Sequence, residues 1–232
     1  MSSVHELRAA AAIPPKSILK RGHNCVVVWN DFVVKVPDKS SILFDREVRA
    51  IEFAAFARTM GFVDASVVDV TPDLRKKLPR QLRGAPKAIL MPRLPGTTAV
   101  DANLNFLDPD IIATSVIDSH CRLVDRGWYN TDCKLDNIQL IPGGIKLLDW
   151  GSLCPADAVD PTFTYAVEGQ MSSPHVCMSV NLVVTILELY GNYPPAETVL
   201  GVKEYRDLKK QALDVLKAPL KMRLAKILAA PA

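Results

Sequence analysis

The chain is short of aromatics, of net charge and of long apolar runs, and each shortage excludes a class of protein. Aromatic residues make up 6% of 232 residues, with no repeat or long low-complexity stretch, which argues against solenoids, propellers and biased disordered segments. Lys and Arg number 28 against 25 Asp and Glu; the resulting charge of +3 is too small to argue for nucleic-acid binding. The five cysteines, Cys25, Cys121, Cys133, Cys154 and Cys177, are odd in number and scattered. They lack both metal-ligand pairing and the short spacings of a disulfide framework, so reduced thiols in an intracellular protein, cytoplasmic or nuclear, are expected. Residues 1–16 read as an N-terminal extension in which Arg8 interrupts a short Ala-rich run, without a secretory pattern. Residues 169–187 carry no formal charge but include Pro174, His175 and Asn181, which suits a buried helix better than a membrane span.

What the chain does have is concentrated near its middle. Asp132-Cys133-Lys134-Leu135-Asp136-Asn137 precedes two short apolar β-prone runs around Pro142-Gly143-Gly144, and Asp149-Trp150-Gly151 follows. The runs read as a hairpin. Pairing Ile141 with Ile145 sets Ile138 opposite Leu148 and Asn137 opposite Asp149, about 5 Å apart between Cα atoms. An amide oxygen and a carboxylate would then meet at the open end, a pair suited to Mg²⁺, which keeps several waters and takes substrate phosphates as further ligands. Either segment alone reads as well as a polar turn or a strand end. Together, at this spacing, they point to a metal-assisted site with Asp132 as a nearby base.

These residues resemble the eukaryotic-type protein kinase family, whose catalytic loop H-R-D-x-x-x-x-N and D-F-G triplet match Asn130-Thr131-Asp132 through Asn137 and Asp149-Trp150-Gly151. The resemblance implies a strand lysine for the α- and β-phosphates of ATP and a helix glutamate that holds it. Val26–Trp29 and Phe32–Val36 are β-rich runs around Asn30-Asp31, a pair suited to the positive φ values of a two-residue turn. That turn sets Val26 opposite Lys35 and Val28 opposite Val33, all on one face. By itself Lys35 reads equally as an edge-strand lysine reaching for water. Residues 44–60 carry Phe44, Val48, Ile51, Ala54 and Ala55 at helical spacing with Glu47 beside the stripe. Glu47 has a local alternative in Arg46 or Arg49, but Lys35 and Glu47 each supply the charge the other needs.

Ala88–Met91 followed by Pro92-Arg93-Leu94-Pro95-Gly96 looks like the fifth strand and hinge of a kinase. The resemblance puts adenine contacts at the Pro92 carbonyl and the Leu94 N–H, with Met91 guarding the back of the pocket. The nucleotide loop departs from the family, with Gly22 as its one glycine in residues 18–26, and fewer glycines restrict backbone approach to phosphate. Asn130-Thr131 stands where the family has His-Arg. His175 stands near the glutamate of A-P-E, and Met178 where the buried helix begins with aspartate.

The implied architecture is α+β: a two-lobed kinase-like fold, 17–94 forming a small antiparallel-sheet lobe with the hinge and 95–232 a mainly helical, shortened lobe. Residues 203–230 read as two amphipathic helices broken near Pro219, and Arg75, Lys76, Lys77, Arg80, Arg83 and Lys87 as a solvated basic loop, with a docking patch for an acidic partner or a nuclear-localisation feature as alternatives. The implied activity is Ser/Thr protein kinase, using ATP and Mg²⁺. Asp132 would orient the acceptor hydroxyl, Lys134 stabilise the transferred group, Asn137 and Asp149 hold the metal, and Gly22, Val26, Val33, Lys35, Met91, Pro92 and Leu94 contact nucleotide. A compact kinase of viral or parasite type fits this extent. A protein substrate is the implied partner, with a regulatory protein as a further one and neither membrane nor nucleic acid. A pseudokinase scaffold and a small-molecule hydroxyl kinase are the alternatives.

Overall fold

The computed structural model describes residues 17–21, 24–37, 42–102, 108–158, 165–170, 173–194 and 197–229. The fold is α+β, and it divides into two compact units. The first comprises the described residues through Arg58 with Val63–Pro95, and the second Thr59–Phe62 with the described residues from Gly96 onward.

The first unit is built on an antiparallel sheet of β1 (Ser17–Arg21), β2 (Asn24–Val28), β3 (Phe32–Pro37), β4 (Ser66–Asp69) and β5 (Lys87–Pro92), in the order β1-β2-β3-β5-β4. Val26 pairs with Lys35 and Val28 with Val33, the register read from the sequence. The turn achieves it differently, because no described non-glycine residue has positive φ. Trp29 donates its N–H to Phe32 O at 2.9 Å, and the two rings stack at 5.1 Å. Aromatic packing across the turn thus helps hold the register in place of a left-handed turn conformation.

Strand alternation separates two faces of this sheet. Cys25, Val27, Trp29, Val34, Val36, Val68, Ala88 and Leu90 share one core with Val70, Leu74, Leu78 and Leu82. The last three are at most 1% exposed. The expected basic loop is therefore an ordered cover: α2 (Pro72–Lys77) and a 3₁₀ turn at Arg80–Leu82, with leucines four residues apart facing the sheet. Burying each leucine contributes about 1.5–3 kcal/mol, and the cations between them are left facing outward. Between β3 and β4 lies α1 (Ile42–Phe53), shorter than the 44–60 helix that periodicity suggested. A 3₁₀ turn at Ala55–Met60 follows, and Ala55 is exposed rather than part of the buried stripe.

The second unit contains a three-stranded sheet of β6 (Thr97–Thr98), β8 (Ile138–Ile141) and β9 (Gly144–Leu147), in the order β6-β8-β9. Phe62 bridges to Leu147, and Leu147 N donates to Gly61 O at 2.9 Å, which attaches residues 59–62 to this unit. Gly96 has φ of +90°, and a Cβ there would lie 2.0 Å from the Leu140 carbonyl oxygen, so only glycine fits. β7 (Trp128–Asn130) pairs with β10 (Leu153–Pro155), and β11 (Ala166–Val167) runs parallel to β12 (Val199–Leu200). Around these pack α3 (Pro109–Val124), α4 (Pro174–Leu189), α5 (Val202–Asp214) and α6 (Ala218–Ala229).

All of α4 except Val176 and Glu188 is buried, so it is the helical core of this unit rather than a surface helix. Among the described residues no helix is long and apolar enough to cross a membrane. Pro219 lies in the first turn of α6, where its missing N–H costs nothing, so the chain breaks at residues 215–217 rather than at the proline itself.

Candidate active site

In the first unit β3 and β5 bring most of the expected nucleotide contacts onto one face. Lys35 pairs with Val26 and with Ile89, and Val33 with Met91. Val26, Val33, Lys35 and Met91 are half-buried there. Ile89, fully buried beside Lys35, belongs to the same face and was not singled out in the sequence, although strand alternation from Met91 marks it. Pro92 pairs with Phe32 on the opposite face and is exposed, and Leu94 lies beyond the strand end, half-buried. Gly22 lies outside the described residues.

Lys35 Nζ lies 2.5 Å from Glu47 Oε2, and Glu47 is 1% exposed. A buried carboxylate is costly to desolvate, and the ammonium at contact distance offsets that cost while fixing where the lysine head sits. The local alternative, Glu47 paired only with an arginine of its own helix, does not describe this contact.

The second unit gathers Asp132, Lys134 and Asn137 around a single carboxylate. Asp132 Oδ2 lies 2.8 Å from Lys134 Nζ, and Asn137 Nδ2 donates to the same oxygen at 3.2 Å and to Asp132 O at 2.9 Å. The loop is wound tightly by a 3₁₀ turn at Leu135–Asn137, and this turns the asparagine back onto its own loop. Committing Nδ2 to Asp132 leaves Oδ1 as the acceptor end of the amide.

The hairpin register differs from the expected one by a residue. Ile141 pairs with Gly144 and Ile138 with Leu147, and Leu148 N donates to Asn137 O at 2.9 Å. Asn137 is therefore opposite Leu148, and Asp149 lies one step further on. The cause is the turn: Pro142-Gly143 closes in two residues, with Gly143 at φ of +86°, the combination a type II turn favours. Asp149 caps a 3₁₀ turn at Trp150–Ser152, accepting the Gly151 N–H at 3.2 Å through Oδ1. A carboxylate and an amide oxygen fit the hard-oxygen preference of Mg²⁺, and two protein ligands suit an ion that otherwise relies on water and phosphate. Among the described residues no group of three or more His, Cys, Asp or Glu could hold a metal.

A buried polar network holds this loop, and little of it was apparent in the sequence. Thr131 donates to Ser152 O through both its N–H, at 2.9 Å, and its hydroxyl, at 3.0 Å. The Ser152 hydroxyl lies 2.6 Å from Asn130 Oδ1 and 2.6 Å from Asp149 O, two acceptors for one proton. From α4, Asn181 donates to Thr131 O at 3.0 Å and Thr185 to Cys133 O at 2.7 Å. Met178 is a fully buried apolar side chain, and Asn181, one turn along α4, carries the polar contact to Thr131. The signal was there: an asparagine inside an otherwise apolar helix needs buried partners. His175 meets Ile227 O through Nε2 at 3.1 Å and the edge of Tyr129, which ties α4 to α6.

Burial pushes the Cys133 thiol up to about 12, opposed by the Thr185 hydrogen bond. It is thus an inert neutral side chain beside Asp132, and Cys25 is likewise buried. Glu188 is also raised, first by burial and then by the charge of Asp136. No family model matches this chain, and neither does any curated protein.

Proposed function

We propose that this chain is a protein-kinase-like phosphotransferase of two-lobed type that moves the γ-phosphoryl group of ATP to a Ser or Thr hydroxyl of a protein substrate. The observation that carries the reading is the Asp132 carboxylate, met by both Lys134 and Asn137 within one six-residue loop. The Lys35–Glu47 pair in the other unit supports it independently, since phosphoryl transfer relies on positioned cations rather than covalent chemistry.

In this mechanism Lys35 holds the α- and β-phosphates, with Glu47 fixing the direction of its ammonium. Asn137 and Asp149 would hold Mg²⁺, which when bound neutralises charge on the phosphates. Asp132 accepts a hydrogen bond from the acceptor hydroxyl and takes its proton as the new oxygen–phosphorus bond forms and ADP leaves. Lys134, anchored on Asp132, is placed to balance charge on the transferred group. A lysine two residues after the base resembles Ser/Thr kinases rather than small-molecule phosphotransferases, which favours a protein acceptor.

The test is transfer from γ-labelled ATP to protein, peptide and small-molecule acceptors, by the wild-type chain and by Asp132→Asn. Label on protein hydroxyls that falls about 10²-fold or more in the variant supports the reading. Nucleotide binding with no transfer to any acceptor would replace it with a binding module, a reading that Asn130-Thr131 in place of His-Arg favours.

A further inference from the structure

The helical cover of the first sheet carries an unbalanced charge. Arg75, Lys76, Lys77, Arg80, Arg83 and Lys87 fall within thirteen residues, and Asp73 is the one carboxylate in residues 70–87. Among the described residues, Lys76 pairs with Asp73 and Lys87 with Glu52, both at 3.5 Å. Among the described residues no ion pair involves Arg75, Lys77, Arg80 or Arg83. All six are exposed except Lys77, which is half-buried.

These cations are not on a loose loop. Leu74, Leu78 and Leu82 anchor the backbone from beneath. From above, Arg83 donates to Leu78 O at 3.2 Å and to Lys76 O at 3.4 Å, and Arg75 to Val70 O at 3.5 Å. A rigid cluster of like charges repels itself, and a preorganised one loses little conformational entropy when it meets an anion. Segment 70–87 contains no aromatic side chain on which a base could stack, and α2, at six residues, is too short to read a duplex groove. Guanidinium groups match carboxylates in bidentate fashion.

We propose that this cover is a docking surface for an acidic protein segment, one rich in Asp and Glu. The surface is independent of phosphoryl transfer and stands or falls without it.

The experiment is fluorescence anisotropy of a labelled twelve-residue polyglutamate peptide titrated with the full chain at low and at physiological salt, beside an oligonucleotide of equal charge. The wild-type chain binds the peptide, more weakly as salt rises, and more tightly than the oligonucleotide. Lys77→Glu with Arg80→Glu weakens binding by roughly tenfold or more, because two cations become repulsive. The same reversal at Lys203 and Arg206, both exposed on α5, changes it less than about twofold. Should the reversal variant fail to fold, Lys77→Gln with Arg80→Gln takes its place, with a loss of roughly threefold. Absence of peptide binding, an equal loss from the α5 reversal, or tighter binding of the oligonucleotide overturns the proposal.

Discussion

The side-chain amide of Asn181 donates to the Thr131 carbonyl at 3.0 Å, joining residues fifty positions apart. Its second proton goes to Cys177 O at 2.9 Å, so both donors of the amide are committed and its orientation is set. Thr131 in turn reaches Ser152, which neighbours Asp149. The polar core of the second unit therefore ends at the residues proposed to handle metal and base.

Asn181→Asp tests that grip, because a carboxylate keeps the shape and removes both donors. Two buried carbonyls then face an acceptor, and the variant should lose about 2–5 kcal/mol of stability in urea. Asn181→Ala should lose less. A carboxylate variant as stable as wild type would mean that the amide carries no load.

Asp149→Ala should weaken the Mg²⁺-dependent part of ATP binding in calorimetry and leave metal-free nucleotide binding nearly unchanged. Equal metal dependence in wild type and variant would remove Asp149 from the metal site.

Lys35→Met leaves Glu47 buried without its ammonium, a change that costs about 3–5 kcal/mol. Lys35→Met with Glu47→Gln should recover part of that loss, although neither variant should bind nucleotide well. Denaturant melts of the single and double variants decide the point: a double variant no more stable than Lys35→Met sinks it.

His120 on α3 is fully buried and is held neutral, its pKa lowered to about 4 by burial against a partial opposing effect of its Nδ1 contact with Val116 O. The unfolded chain takes up the proton near 6.5 and the folded chain does not until about 4. Its contribution is present above pH 6.5 and is lost as pH falls towards 4, by up to about 3 kcal/mol at about 1.4 kcal/mol per pH unit. Stability measured from pH 7 to 4 should therefore fall, and should fall less steeply in His120→Gln. Parallel slopes for the two proteins would count against this origin.

Under the proposed phosphotransferase activity, Thr131 bears on regulation. Kinases that await a phosphate on the activation segment pair it with the arginine before the base, and here Thr131 is buried and its hydroxyl is spent on Ser152 O. Activity should not require phosphate at Ser173, nor at Thr162, Thr164 or Ser172, which lie outside the described residues. Phosphatase-treated protein, confirmed unmodified by mass spectrometry, should be active at once; activity that returns only with a phosphate at one of these positions would refute this.

Local features were legible in the sequence where a period or a neighbour decides them. The β2–β3 register followed from apolar alternation around a two-residue turn, since a slip of one would bury the wrong face. Lys35 and Glu47 stood out as charges in apolar settings, and their contact needs only an adjacent strand and helix. The spacing of the Asp132–Asn137 loop places its polar residues close together, but that Asn137 donates to the Asp132 carboxylate is set by the 3₁₀ turn and was not read from the sequence. Tertiary structure decided the rest. The β8–β9 register depended on where the turn ends: both Gly143 and Gly144 take positive φ, and Gly144 joins the strand opposite Ile141, a choice that Pro142-Gly143-Gly144 leaves open in the sequence. The leucines at 74, 78 and 82 were visible but outnumbered by cations, and only the presence of an uncovered sheet face makes them a core element. Asn181 read as an interruption of an apolar stretch because hydrophobicity is summed along the chain. One of the amide's two donor contacts is local, to Cys177 O, but the other is distant in sequence, and only folding brings the Thr131 carbonyl to it.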